Sequence, residues 1–125
     1  MGLLRVDRLS GPPAALEAGG TVLARRCYLA RTSLARLVGL LGTPDLAEDE
    51  ALWLERCSSV HSLGLRVPIG VAFLDGEGRV LRVVDPLPRG RAAGARGARA
   101  AVECRSGVLS PVTPGVLLSR IETRS

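Results

Sequence analysis

The residue types best suited to chemistry crowd into one stretch of this sequence, residues 57–66. The stretch contains Cys57, Ser58, Ser59, His61, Ser62 and Arg66, and His61 is the only histidine of the chain. Cys57 and His61 lie four residues apart, and an imidazole can hold a nearby thiol as the nucleophilic thiolate. One alternative is therefore a small hydrolase or transferase that uses Cys57 with His61. The other is a buried thiol beside a structural histidine whose ring bonds a loop carbonyl.

A metal centre is not predicted. Zinc could be proposed from Cys57, His61 and one of the two other cysteines, Cys27 or Cys104, because tetrahedral zinc sites use such ligands. The chain has no Cys-x-x-Cys pair and no second histidine, so soft ligands alone cannot complete a four-ligand site.

The glycine-rich stretches and the paired carboxylates also have structural explanations. The glycines at 76 and 78 are expected to lie in a hairpin turn and those at 39 and 42 to end a helix, whereas a phosphate cradle opens a helix. Asp75 and Asp85 bracket the hairpin and are expected to cap turns rather than to act as an acid–base pair. No cofactor is predicted.

The composition is that of one globular domain. The chain has 125 residues, of which 46% are hydrophobic and 23% are charged, with a formal net charge of +5. All 17 basic residues are scattered arginines and only three residues are aromatic, so nucleic-acid binding is not expected. An odd cysteine count favours a reducing compartment, and the lack of a signal-like or membrane-spanning apolar run makes cytoplasmic the expected localisation.

The elements that must position these residues are mostly predicted strands. Residues 21–30 alternate with a period of two, and residues 67–74 and 79–84 form a hairpin around the turn at 75–78, where two glycines can adopt positive φ. Residues 89–97 are expected to be a flexible cationic loop. Further strands are predicted at 51–54, 98–104 and 116–121, and an edge strand followed by a loop with one helical turn is predicted within 1–20.

One amphipathic helix of about three turns is predicted to follow an N-cap at Thr32 or Ser33 and to run to Leu41. Its apolar residues recur at helical spacing, and Gly42 and Pro44 would end it. The helix is expected to pack its apolar face on the strands: Leu34, Leu37, Val38 and Leu41 on Leu52, Leu54, Val71 and Phe73. The predicted fold class is α+β, a curved, largely antiparallel sheet or small barrel with this one main helix, in a compact domain over 21–121 followed by a tail at 122–125.

Residues 57–75 resemble the signature of a widespread prokaryotic family, Domain of Unknown Function family 192. Members typically read His-Thr-Phe-Gly-Met-Arg-Phe-Pro-Ile-Asp-Val-x-Phe-Leu-Asp from the position of His61, followed by a Gly-x-Val hairpin similar to residues 78–80. Residues 37–42 resemble the family's Arg-Gly-Leu-Leu-Gly helix end, and residues 97–103 its Ala-Arg-x-Val-Leu-Glu strand.

The resemblance implies a compact, β-rich α+β domain, exported when a leader is present, and it implies no particular reaction. This sequence has Gly70 where relatives have Asp, so any role of that acid is expected to be lost. His61 and Arg66 are retained, and Ser62 replaces Thr. We therefore expect a noncatalytic binding or interaction domain in which His61, Ser62 and Arg66 meet a small anionic ligand or a protein partner, because guanidinium groups suit anions.

Overall fold

The computed structural model describes residues 10–30, 47–61, 68–88 and 90–121. These residues form nine β-strands, each with side chains alternating between two faces. The strands are β1 Ser10–Ala18, β2 Thr21–Ala30, β3 Glu50–Glu55, β4 Ser59–His61, β5 Ile69–Leu74, β6 Val80–Leu87, β7 Ala92–Gly94, β8 Ala100–Arg105 and β9 Leu118–Ile121.

Seven strands form one sheet in the order β6-β5-β8-β3-β2-β1-β9, and β4 pairs with β7 in a separate two-stranded ribbon. All strand pairs are antiparallel except β2 and β3, which run parallel. β5, β8 and β3 are therefore inner strands, and their backbone groups are paired on both sides.

The large sheet curls until its two edges meet at one end. Val80 N donates to Val116 O at 2.8 Å, Gly115 N donates to Val80 O at 2.8 Å, and Leu118 N donates to Gly78 O at 2.9 Å. Gly78 is required at this seam because its φ is 94° and an added Cβ would lie 2.7 Å from Leu118 O. The seam covers edge groups that would otherwise be open to pairing with other chains.

The two faces of the sheet bury separate apolar clusters. One cluster joins the strands at both edges, with Leu16, Val80, Val102 and Leu118 among its members. The other lies on the opposite face, beneath Val60 of β4 and Ala93 of β7, and contains Leu52, Leu54, Val71 and Phe73. These last four residues share one face, as the sequence predicted for the strands.

The predicted fold class is wrong. The part of the chain that the structure describes is all-β and contains no helix, whereas α+β with one main amphipathic helix was expected. Residues 32–41, over which the helix was predicted, lie outside the described residues. In the described ranges the two-stranded ribbon covers one apolar cluster of the curled sheet, and Leu109 and Val112 from the segment between β8 and β9 pack into the other cluster.

Most strand predictions are confirmed, and three strands, β1, β4 and β7, were missed. β2 has the predicted bounds, and β5 and β6 form the predicted hairpin around residues 75–78. β1 occupies residues for which a loop with a helical turn was expected, and β7 lies within the predicted flexible loop.

Within the described ranges, nothing helical is long and apolar enough to cross a membrane.

Candidate binding cleft

An open cleft of about 720 Å³ lies at the end of the sheet where β3 and β5 finish and β8 begins. Three short segments line it: the turn after β5, the residues that precede β8, and the residues that follow β3. The lining residues are Arg56, Ser58, Asp75, Gly76, Glu77, Gly97, Ala98 and Arg99. A volume of this size lies within the range of small-molecule sites.

Backbone hydrogen bonds fix these three segments relative to one another. Arg99 N donates to Leu74 O at 2.7 Å, and Cys57 N donates to Arg99 O at 3.4 Å. The ladder of the inner strands thus continues to the edge of the cleft. The arginines at 56 and 99 therefore project from backbone that the sheet holds in place.

Arg56 has an unusual backbone conformation. Its φ is 55°, in the left-handed region that non-glycine residues rarely adopt. Such conformations persist only where the surrounding structure enforces them, and they concentrate at functional sites. Nothing in the sequence signalled this, because arginine is not a turn-forming residue.

The turn that carries Asp75 and Glu77 is held by a carboxylate. Asp75 Oδ1 accepts hydrogen bonds from Glu77 N at 2.8 Å and from Arg79 N at 3.0 Å. These backbone donors, with Arg79 first, lower the pKa of Asp75 below its usual value, so the group stays ionised at neutral pH. The expectation that Asp75 caps the hairpin turn is confirmed.

The structure describes only part of the predicted site. Cys57 is half-buried against the apolar cluster under the ribbon, and its thiol donates to Ser59 O at 3.1 Å. His61 ends β4, where its backbone pairs with Ala92. Ser62 and Arg66 lie outside the described residues, so the binding site at His61, Ser62 and Arg66 and the pairing of Cys57 with His61 remain predictions.

A carboxylate occupies the space that a side chain at Gly70 would fill. A Cβ built on Gly70 would lie 2.7 Å from Asp85 Cγ and 2.8 Å from its Oδ2. Asp85 Oδ1 accepts from Ser106 Oγ at 2.7 Å, and Asp85 Oδ2 accepts from Gly107 N at 3.0 Å. Glycine at 70 therefore does not leave this place without an acid, because the neighbouring strand supplies one.

Sequence reasoning missed Glu103 as an isolated acid. It lies in β8 between Leu52 of β3 and Val71 of β5, and it is only 6% exposed. Removal from water raises the pKa of Glu103 to about 8. Its side chain has no hydrogen-bond or ion-pair partner among the residues that the structure describes. The available signal was a single carboxylate among the small and apolar residues 100–104.

No group of three histidine, cysteine or carboxylate side chains is close enough to hold a metal ion in the described ranges. Cys27 and Cys104 are fully buried in the cluster that joins the sheet edges. Cys57 lies in the cluster on the opposite face. The zinc combination considered from the sequence therefore does not assemble among these three thiols.

The described residues form a small all-β arrangement, a curled seven-stranded sheet with a two-stranded ribbon. A family model for DUF192, described as an uncharacterised ACR, matches residues 14–116, which is most of the chain. The protein belongs to this family, as the resemblance of residues 57–75 indicated. A comparison with curated proteins found no match.

Two solved structures are similar to this chain. A protein of unknown function from Novosphingobium aromaticivorans has a TM-score of 0.75 and 19% identity, over 95% of this chain and 99% of that one. A protein from Sinorhizobium meliloti, described as a proposed transcription regulator, has a TM-score of 0.72 and 17% identity, over 89% of this chain and 98% of that one. At these identities the likeness shows a shared fold.

Proposed function

We propose that this chain is a noncatalytic binding domain that holds a small ligand or a protein partner through an anionic group. The observation that carries the proposal is the cleft of about 720 Å³ with Arg56 and Arg99 in its lining. Guanidinium groups present several N–H donors in a planar fork that suits carboxylates and phosphates.

The predicted residues His61, Ser62 and Arg66 would extend the same surface. Ser58 lines the cleft, and β4 begins at the next residue. An extended chain rises about 3.3 Å per residue, so His61 follows Ser58 by about 10 Å of backbone. In this proposal the polar stretch 57–66 begins at the cleft and supplies further residues to its lining.

The cleft lining supports binding more than catalysis. Its described residues include one hydroxyl, Ser58, and neither a histidine nor a cysteine that could act as base or nucleophile. The thiol of the neighbouring Cys57 donates to a backbone carbonyl, which is an ordinary arrangement for a structural cysteine. The alternative function is catalysis by Cys57 with His61.

A thermal-shift screen against acidic metabolites, glycans and short acidic peptides tests the proposal. Each compound that raises the melting temperature is then titrated by calorimetry into the wild type and into Arg56→Ala, Arg66→Ala and Arg99→Ala. Arg25→Ala is the matched control, since Arg25 is an exposed arginine of β2 outside the cleft.

We expect at least one of the three arginine variants to weaken binding by about 5-fold or more while Arg25→Ala binds normally. Binding that all three variants leave unchanged would overturn the site. Turnover of an acidic ester or amide by the wild type, abolished in Cys57→Ser, would overturn the noncatalytic assignment.

A further inference from the structure

The charges in the cleft are arranged by sign. Asp75 and Glu77 belong to the turn after β5, whereas Arg99 precedes β8 and Arg56 follows β3. Because the sheet order is β5-β8-β3, the backbone that carries the two carboxylates borders one side of the cleft, Arg99 is attached at its middle, and Arg56 is attached at its other side.

No ion pair joins Asp75 or Glu77 to Arg99 in the described part of the chain. Asp75 turns one oxygen toward the backbone amides of its own turn, and the Glu77 carboxylate has no side-chain partner among the described residues. Glu77 and Arg99 are both exposed.

The formal charges of the lining cancel, with two arginines against two carboxylates. A simple anion attracted to the arginines would also meet the field of Asp75 and Glu77, and a simple cation would be repelled by the arginines. A molecule with both charges, separated along its length, would meet an opposite charge at each end.

We propose that the cleft binds a small zwitterion, with its carboxylate toward Arg99 and Arg56 and its ammonium toward Glu77 and Asp75. This inference rests on the proposed function and narrows its ligand from an anion to an amino-acid-like molecule. The separation of the two ligand charges must match the distance between the two sides of the cleft, so chain length becomes a determinant of binding.

A series of ω-amino acids provides the probes: glycine, β-alanine, 4-aminobutanoate, 5-aminopentanoate and 6-aminohexanoate. Titration is followed by two-dimensional NMR of ¹⁵N-labelled protein, which measures millimolar affinities. For the member that binds most tightly, the N-acetyl derivative removes the ammonium charge and the carboxamide removes the carboxylate charge.

We expect affinity to rise and then level or fall with chain length, and both blocked derivatives to bind about 2–5-fold more weakly than their parent. Glu77→Gln should weaken the parent by a similar factor and leave the N-acetyl derivative unchanged. Arg99→Gln should weaken the parent and leave the carboxamide unchanged. Glu48→Gln and Arg25→Gln, at exposed positions outside the cleft, serve as controls.

An N-acetyl derivative that binds as tightly as its parent would overturn the zwitterion inference and leave the anion-binding proposal standing. Absence of shifts at residues 75–77 and 97–99 with every probe would also overturn it, while the acidic-ligand screen decides the proposed function separately. Loss of all binding in Arg99→Gln and none in Glu77→Gln would identify the ligand as an anion only.

Discussion

A carboxyl group in apolar surroundings stays protonated at pH values where an exposed carboxyl is ionised. Glu103 is in this position, since Leu52 and Val71 face it from the two neighbouring strands and it is 94% shielded from water. Buried polar groups without partners are uncommon in native proteins. The free-energy cost of burying the Glu103 side chain is limited because burial favours its neutral, protonated form.

Stability should therefore fall as the pH rises toward 8. The folded pKa of Glu103 is about 8 against 4.5 for an exposed glutamate, so the folded state binds more protons between these values. The free energy of unfolding then decreases by up to about 1.4 kcal/mol per pH unit in this window. Urea unfolding at several pH values measures the slope.

Glu103→Gln should remove this part of the pH dependence, because the amide does not ionise. Glu77→Gln, at an exposed position, should keep the wild-type slope. If Glu103→Gln and the wild type lose stability equally between pH 5 and pH 8, Glu103 is already ionised in the folded protein.

Gly70 of β5 and Asp85 of β6 face the same small volume, and only one of these two positions can carry a carboxylate. The Asp85 side chain fills the volume over Gly70 and accepts from Ser106 and Gly107, so it links β6 to the residues that follow β8. An aspartate at 70 would begin its own side chain at almost the same point. The acid can therefore be carried by only one of the two strands.

Moving the carboxylate from position 85 to position 70 tests this arrangement. Gly70→Asp alone should be strongly destabilising because its Cβ clashes with Asp85 and the two negative charges repel. Asp85→Ala alone removes the acceptor for Ser106. The double variant should be more stable than Gly70→Asp by about 1 kcal/mol or more. A double variant in which the two losses simply add would contradict the shared volume.

The seam between the edges of the sheet requires a glycine at position 78. Gly78 combines positive φ with close approach to Leu118 O, whereas Gly76 in the same turn has an ordinary φ and a nearest contact of 3.9 Å for an added Cβ. Gly78→Ala should cost about 1–3 kcal/mol or more, and Gly76→Ala about 0.5 kcal/mol or less. Chemical denaturation of the two variants side by side measures the difference; equal losses would show that the seam tolerates a side chain.

The reactivity of the three cysteines shows whether the curled sheet is intact. Cys27 and Cys104 are fully buried in the cluster that unites both edges of the sheet, and Cys57 is half-buried near the cleft. Burial raises the pKa of Cys27 to about 12 and that of Cys104 well above its usual value. Both thiols are therefore protected from alkylation, because reagents cannot reach them and because they remain protonated.

We expect one thiol per chain to react with iodoacetamide in the folded protein and three after denaturation. The slow labelling of Cys27 and Cys104 should follow global unfolding, because opening the sheet exposes both. In Cys57→Ser the fast reaction should disappear. Rapid labelling of two or three thiols in the native protein would show that the curled sheet opens locally, and a Cys57 that reacts much faster than a free thiol at neutral pH would revive the catalytic alternative.

The sequence by itself determined the features that depend on neighbouring residues. Alternation with a period of two identified β2 and β5, and the glycines at 76 and 78 identified the hairpin turn, because these signals reside in a few consecutive residues. The motif at 57–75 also identified the family. β1, β4 and β7 were missed because their prolines, glycines and small or polar residues are typical of loops, and pairing with distant strands overrides local preference.

Only the tertiary structure decided the cleft and the two unusual acids. Arg56, the turn at 75–77 and Arg99 are far apart in the chain and meet because β5, β8 and β3 are neighbours in the sheet. The burial of Glu103 and the meeting of Asp85 with Gly70 follow from the same strand order and register. Strand order is a property of the whole chain, since each pairing depends on what the other strands leave available, and no local pattern encodes it.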